Sequence, residues 1–350
     1  MPDHPQIIRI FNPDGPLPAN RAANADAIAR ACAHLADGKL VAIPTETVYG
    51  LAADAANGEA VARIFKAKGR PRFNPLICHA DSLTMAERYG VCDARTLRLA
   101  KAFWPGPLTL VLQKTPDSPA HELVTGGLGT IGLRVPAGPA RQLITAFGRA
   151  VAAPSANLSG RMSPTTAEHV ALQLGGDVAL ILDAGPCRIG VESTIVALDG
   201  AEARRLRPGG LAAEDIEAVL GEKLQRVASG DKVEAPGMLA SHYAPKTPLR
   251  PDATDIQPGE ALLAFGADLP EGADTAVMLR NLSPAGDLTE AAATLFGALH
   301  DLDACGATTI AAMPIPDHGL GEAINDRLRR AATPHEKWPG EKRRPAAGKD

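Results

Sequence analysis

The sequence predicts an α/β protein built around a mixed sheet, followed by a smaller α/β unit. Three observations carry that prediction. Short apolar strand segments recur up to about Leu220, some single and some paired, with helical patterns between some of them. Beyond Gly221 the periodicity gives way to Pro, Gly and charge as far as Pro258. Strand and helix patterns then alternate again to about Ala331. At roughly 150 residues per domain, 350 residues also point to about two units.

The elements follow in order. Gln6–Phe11 reads as a strand, and Asn20 as the cap of a helix through Ala36 that Gly38 ends. Leu40–Ile43 is a short apolar strand running into Pro44-Thr45-Glu46-Thr47, and Glu59–Lys68 is a helix stopped by Gly69. Leu76–His79 reads as a strand and Ser82–Tyr89 and Ala94–Phe103 as helices. Strands recur at Leu108–Gln113, Thr130–Val135, Ala150–Ala153, Val178–Leu182, Thr194–Leu198 and Ala203–Leu206. Helical patterns cover Pro139–Phe147, Thr165–Leu174 and Ala213–Leu220. The second unit reads as strands Ala261–Phe265, Ala276–Leu279 and Thr309–Met313 with helices Thr289–Cys305 and Gly321–Ala331, a small Rossmann-like layer. The chain thus divides into residues 1–221, a linker over 222–258, a small domain over 259–335 and a basic, disordered tail over 336–350. The linker run Ala235-Pro236-Gly237-Met238-Leu239-Ala240-Ser241-His242-Tyr243-Ala244-Pro245 is odd for a passive one, which has no need of Met, His and Tyr together.

Composition excludes several classes. With 36 basic and 40 acidic residues the formal charge is −4, so any anion site must be a local cluster on a chain that is not a general polyanion binder. Only 3% of residues are aromatic, which argues against base-stacking platforms, whereas 34 Gly and 30 Pro favour tight loops that line anion sites with backbone. The five cysteines are scattered without CxxC spacing, so neither a zinc site nor a disulfide framework is expected and the compartment is a reducing one. The start lacks a leader pattern and no apolar run is long enough to span a bilayer, so the expectation is a cytoplasmic protein.

Four segments carry chemistry. Arg63–Arg72 holds five cations and no acid, then runs into Phe73-Asn74-Pro75: point charge from Lys and planar forks from Arg suit a polyphosphate, although a solvated helix face has the same composition. Pro44–Leu51 sets polar residues at a strand-to-loop junction, which suits a small ligand or a capped turn. Ala152–Gly160 and Ser163-Pro164-Thr165 offer small residues, hydroxyls and close backbone approach, and Ser163 or Thr165 equally suits the cap of the next helix. Gly190–Ile195 and Arg204–Gly209 form the fourth, with Arg134 nearby in Thr130–Pro136; an Arg in an apolar strand is costly to bury unless it meets an anion. No GxxxxGK[ST], GxSxG, HExxH or strand-to-helix GxGxxG is present, and charge neutralisation with positioning is the chemistry that remains.

PTETVYGL, KxKGRPxxNPL, WPGPLT, TIGLRVP, APSANLSG, GVESTI and LRPG occur in that order. Over about Ala22–Gly221 they resemble the YrdC-like domain of L-threonylcarbamoyladenylate synthases. APGMLASHYAP and GLGEAINDRLRRAA extend the resemblance to the long, two-domain Sua-type form. The resemblance implies a twisted mixed sheet with helices around a concave basic cleft. It also implies ATP-dependent condensation of L-threonine with bicarbonate or carbon dioxide, giving threonylcarbamoyl-AMP and pyrophosphate, with Mg2+ accompanying ATP. The adenylate would feed tRNA modification next to the anticodon through a separate transferase complex, with at most a weak contact between this chain and tRNA. Carried over by position, Thr45, His79, Arg134, Ser193 and the backbone at Ala153 would hold L-threonine, with Arg134 on its carboxylate. Arg70, Asn74, Thr130, Ser155, Ser163 and Arg207 would contact ATP, Tyr243 would close over it, and Lys68 and Arg70 would serve catalysis as charge near the phosphates. Leu239-Ala240-Ser241 stands where basic residues are common in the family. Two other readings remain: an RNA-binding module using Arg63–Arg72, and a carbamoyl-adenylate enzyme of the hydrogenase-maturation type, whose acylphosphatase region and zinc-finger cysteine pairs this sequence lacks.

Overall fold

The computed structural model describes residues 5–10, 21–227, 234–236 and 242–333. The first unit begins with β1 (Gln6–Arg9), α1 (Arg21–Ala36), β2 (Val41–Ile43), β3 (Gly50–Asp54) and α2 (Gly58–Lys68). It continues with β4 (Ile77–His79), α3 (Leu83–Ala86), α4 (Ala94–Phe103), β5 (Leu108–Gln113), α5 (Glu122–Thr125) and β6 (Thr130–Arg134). It ends with α6 (Pro139–Phe147), β7 (Val151–Ala152), α7 (Ala167–Leu174), β8 (Leu180–Asp183), β9 (Thr194–Ala197), β10 (Arg204–Arg207), α8 (Ala213–Leu220) and β11 (Gln225–Arg226).

The eleven strands form one sheet in the order β1-β8-β2-β3-β7-β4-β6-β5-β9-β10-β11. Parallel and antiparallel pairs are mixed along it, so the predicted mixed sheet is what forms. Long-range order explains the mixture: β4 lies between β7 and β6, and β5 pairs with β9, each brought together by helical crossovers. α2 shows how the local sequence sets an element. The Asn57 side chain accepts from the amides of Glu59 and Ala60, an apolar stripe of Val61, Ile64 and Phe65 is buried, and Gly69 ends the helix at φ 61°.

The second unit comprises β12 (Leu249–Arg250), β13 (Glu260–Ala264), β14 (Leu279–Asn281), α9 (Leu288–Ala304), β15 (Thr309–Ala312) and α10 (Leu320–Ala332). Its sheet, in the order β12-β15-β13-β14, is parallel throughout, as a small Rossmann-like layer requires. Its core also takes in Val48, Met162 and Val191 of the first unit together with Tyr243, so the two units share apolar packing.

Four readings change. Gly50–Asp54 continues as a fully buried strand, where the sequence showed only a polar junction. The strand expected over Ala276–Leu279 lies at Leu279–Asn281, because Ala273–Thr275 first makes a short 3-10 turn. The second sheet starts with β12, inside the stretch read as linker. The helix expected over Ser82–Tyr89 is confined to Leu83–Ala86. Asn20, Phe11, Gly237–Ser241 and the 336–350 tail lie outside the described residues.

Candidate active site

The chain leaves β2 through Pro44–Tyr49 and returns antiparallel in β3, with Ile43 opposite Gly50. Thr45 stiffens this turn: its hydroxyl accepts from the amides of Thr47 (3.2 Å) and Val48 (3.3 Å), donates to the Val48 carbonyl (2.6 Å) and lies 2.8 Å from the Thr47 hydroxyl. Glu46 points the other way, accepting from the Ala137 amide at 3.1 Å and reaching Arg134 Nη2 with Oε1 at 2.7 Å. Both members of this pair are only about 5% exposed. The two atoms are close enough for strong attraction but not aligned as a hydrogen bond, so each remains without a hydrogen-bond partner. Parallel register puts His79 of β4 beside Arg134 of β6. Burial, then the Arg134 charge, push the His79 imidazole down to about 3, so it is neutral at pH 7.

The basic stretch divides by helical period up to Lys68 and by the turn at Gly69 beyond it. Lys68 and Arg70 turn inward and are buried, Arg63 reaches back to the Gly38 carbonyl, and Lys66 and Arg72 face solvent. A continuous basic patch of the kind an RNA module would use is therefore not what Arg63–Arg72 forms. Lys68 Nζ donates to the carbonyls of Ser155 and Asn157, both at 2.5 Å, and so carries the Ala153–Asn157 loop. Arg70 donates to the Asn74 side chain and the Pro75 carbonyl, each at 2.7 Å. Burial and the nearby Arg207 lower its guanidinium to about 9. A cation so little compensated is prepared to receive an anion.

The opposite wall comes from the β9 and β10 region. Ser193 Oγ lies 2.8 Å from Thr109 Oγ1, and Arg207 Nη2 donates to the Ser193 carbonyl at 2.9 Å. The β9–β10 register slips between Arg205 and Arg207, a bulge that re-aims the arginine. The following turn needs glycine: a Cβ on Gly209 would sit 2.3 Å from the backbone of Glu192–Thr194. Glu192 accepts from the Ser163 hydroxyl and, at Oε2, from Nε and Nη2 of Arg327 in the second unit, at 2.9 and 2.8 Å. Burial works against its charge, but Arg327 and Arg207 outweigh it and bring the carboxyl down to about 2. Ser163 is therefore not a helix cap; Thr166 caps α7.

These walls meet at one narrow cavity with about 40 Å³ of free space, lined among others by Thr45, Arg70, His79, Arg134, Ser193 and Arg207. Ala153, Ser155, Tyr243 and Pro236 complete it. The Ala153 amide is already bonded to the Ile77 carbonyl at 3.0 Å. Lys68, Asn74 and Ser163 stand one hydrogen bond behind the wall. Thr130 lines a smaller cleft that shares Ile77 and Pro236 with the first. Tyr243 adopts φ 64° and is buried with no partner for its hydroxyl; the His242 ring lies 4.1 Å away.

Two family models match in tandem: one for Sua5, YciO and YrdC, described as telomere recombination, over residues 33–209, and one described as the threonylcarbamoyl-AMP synthase C-terminal domain over residues 211–333. The threonylcarbamoyl-AMP synthase of Bacillus subtilis is 41% identical over 327 residues, 89% of this chain and 94% of its own length. The chain belongs to the threonylcarbamoyl-AMP synthase family. The synthase of Pyrococcus abyssi is 42% identical over 86% of this chain and 93% of its own length. The crystal structure of P. abyssi Sua5 complexed with L-threonine superposes with a TM-score of 0.83 at 37% identity, covering 93% of this chain and 97% of that one. A variant of that protein with adjacent His and Tyr replaced by Ala superposes at 0.82; this chain has one such dipeptide, His242-Tyr243.

Within this synthase-family fold, three residues that the sequence did not single out hold the cavity, Glu46, Glu192 and Arg327, and His242 of the odd linker run joins its lining. Glu46 and Glu192 sit inside recognised motifs and were legible as the acids of otherwise basic surroundings. The anion that the buried Arg134 meets in the structure is Glu46. Arg327 sits inside the GLGEAINDRLRRAA segment, but nothing in that segment pointed to a contact with the first unit.

Proposed function

We propose that this chain is an L-threonylcarbamoyladenylate synthase, joining ATP, L-threonine and bicarbonate or carbon dioxide into threonylcarbamoyl-AMP and pyrophosphate. The observation that carries this reading is the convergence of three buried arginines, Arg70, Arg134 and Arg207, on one cavity. A site with that charge suits a ligand bearing a carboxylate and a polyphosphate. Arg134, whose Nη2 faces Glu46 without an aligned hydrogen bond, takes the threonine carboxylate, while Thr45, neutral His79, Ser193 and the Ala153 backbone surround the rest of the amino acid. Arg70 and Arg207 face the phosphates with Ser155; Lys68, Asn74 and Ser163 hold that wall in place, and Thr130 extends it. Tyr243 covers the nucleotide.

The threonine amine takes up carbon dioxide to form a carbamate. A carbamate oxygen attacks the α-phosphorus, the bond to the bridging oxygen breaks and pyrophosphate leaves with that electron pair. The catalytic contribution of Arg70, with Lys68 behind it, is charge stabilisation, and no side-chain nucleophile takes part. Among the described residues there is no cluster of three or more metal-ligating side chains, and Glu46 and Glu192 are committed to arginines. Protein ligands for Mg2+ do not fit here, so the ion belongs with ATP as its counter-ion.

Small-molecule sites usually offer several hundred Å³, so the 40 Å³ left here requires the Pro236, His242 and Tyr243 wall to move before ATP enters. The product would serve tRNA modification next to the anticodon through a separate transferase complex, with at most a weak tRNA contact of its own. This reading assigns the enzyme to the cytoplasm, in keeping with five free cysteines and with the lack, among the described residues, of a helix long and apolar enough to cross a membrane. The test is incubation with ATP, Mg2+, bicarbonate and each amino acid in turn. Pyrophosphate release is expected with L-threonine alone and is abolished by Arg70→Ala; unselective release, or near-normal release from the variant, overturns the assignment.

A further inference from the structure

We propose that Arg327, on the last helix of the second unit, is a positioning residue for the reaction. The inference rests on the synthase reading. Arg327 is fully buried although it belongs to α10, outside the eleven-stranded sheet. Its guanidinium touches three separate segments of the cavity wall. Nε and Nη2 donate to Glu192 Oε2, Nη1 donates to the Pro208 carbonyl at 2.6 Å beside Arg207, and the carbon of the guanidinium lies 5.1 Å from the Tyr243 ring centroid. Glu192 in turn accepts from Ser163. One planar group therefore fixes the Glu192 loop, the Pro208 turn and the ring that covers the site.

The rest of α10 explains how the arginine arrives there. Glu322, on the same helix, pairs with Arg205 and Arg226 of β10 and β11. An acid and a base on α10 thus meet opposite charges on the first unit, and only one orientation of the helix satisfies both. Close to the interface, Gly190 has φ 78°, and a Cβ there would lie 2.2 Å from the Ala292 carbonyl. The second unit seats against the first without a gap at this point. Docking by Glu322 and positioning by Arg327 are separable functions, because only Arg327 reaches the cavity wall.

That separation supplies the test, made on the full-length protein. Arg327→Lys keeps a charge for Glu192 but loses the planar fork. Misplacing reacting groups by about 1 Å can cost about 10²-fold in rate, so kcat for L-threonine-dependent pyrophosphate release is expected to fall about 10²-fold. The KM for L-threonine is expected to change less than about threefold, since Thr45 is held by its own turn, His79 and Arg134 by β4 and β6, and the Ser193 hydroxyl by Thr109 and Arg207. Glu322→Gln, which weakens docking alone, is expected to lower the melting temperature at least as much as Arg327→Lys while keeping kcat within about threefold of the unaltered protein. Three results overturn the proposal: Arg327→Lys retaining kcat, Glu322→Gln losing kcat equally, or Arg327→Lys failing to fold, which makes the residue a support of the fold. Failure of the unaltered protein to release pyrophosphate with L-threonine would instead refute the synthase reading itself.

Discussion

Replacing Glu46 with Gln separates the roles of the buried Glu46–Arg134 pair. The two side chains face each other at 2.7 Å with about 5% exposure each. At an effective dielectric near 20 their attraction is about 6 kcal/mol before desolvation. Removing one partner of a buried pair typically costs about 3–5 kcal/mol. The Gln side chain can still accept from the Ala137 amide, so the lower end, about 3 kcal/mol, is expected. Spread over the unfolding entropy of a 350-residue chain that unfolds as one, this is a fall of about 4 °C in melting temperature. Binding should move in the opposite direction. On the proposed placement, the threonine carboxylate competes with Glu46 for Arg134 in the unaltered protein and would meet an uncompensated cation in the variant. A hydrogen bond to a charged group contributes about 1.5–3 kcal/mol, so L-threonine should bind about 10- to 100-fold more tightly. Calorimetric titration with L-threonine and with L-threoninamide, which lacks the carboxylate, measures this directly. Equal or weaker binding of L-threonine, or an equal gain for the amide, refutes the placement of the carboxylate on Arg134.

Other expectations follow from the same geometry. Lys68→Met leaves the Ser155 and Asn157 carbonyls without their donor, at about 1–3 kcal/mol each, so the urea midpoint should drop and pyrophosphate release fall more than tenfold; an unchanged midpoint refutes the supporting role. Burial, joined by Arg134 at His79 and opposed by Glu192 but aided by Arg70, Lys68 and Arg207 at His242, holds both at about 3 when folded, below the unfolded value near 6.5. Their contribution to stability is therefore fully present above pH 6.5 and is lost as pH falls from there towards 3, by up to about 1.4 kcal/mol per pH unit for each. Urea midpoints at pH 7.5, 6.5 and 5.0 should be level and then fall, and a level series throughout contradicts buried neutral imidazoles. Tyr243→Phe removes a buried hydroxyl that has no partner, so the melting temperature should rise by about 1 °C for a gain of about 1 kcal/mol, while the KM for ATP rises about tenfold if that hydroxyl meets the nucleotide. A lower melting temperature speaks against the unsatisfied hydroxyl, and an unchanged KM against its contact with ATP.

Local pattern accounts for what the sequence revealed. Leu108–Gln113 and Thr194–Leu198 read as strands because apolar and β-branched residues run together there, and α2 read as a helix because its cap and stop are local. Gly50–Asp54 was illegible as a strand because its small residues carry little β preference; its neighbours β2 and β7 make it one. The same division runs through the site. Arg70 and Arg207 were visible from charge in a Gly- and Pro-rich setting, and Arg134 from the cost of burying a strand arginine. Its partner Glu46 stands 88 positions away, and no pattern in either segment connects them. The five cations of Arg63–Arg72 looked like one clamp, yet helical period sends Lys68 inward and Lys66 outward, and the turn at Gly69 brings Arg70 back in. Arg327 lay beyond any local reading, since its meaning comes from an acid 135 residues earlier.

That separation has a consequence during synthesis. At about 5–20 residues per second, roughly 7–27 s pass between translation of Glu192 and translation of Arg327. Throughout that interval the Glu192 carboxylate has Arg207 but not the paired guanidinium of Arg327, and the ring of Tyr243 lacks the cation that lies against it in the finished protein. The nascent amino-terminal unit is thus both less stable than the finished protein and unable to hold a closed site. Ribosome-bound fragments ending before α10 should bind ATP weakly whatever their sheet has achieved, so competence is conferred late, by one of the last helices to be made.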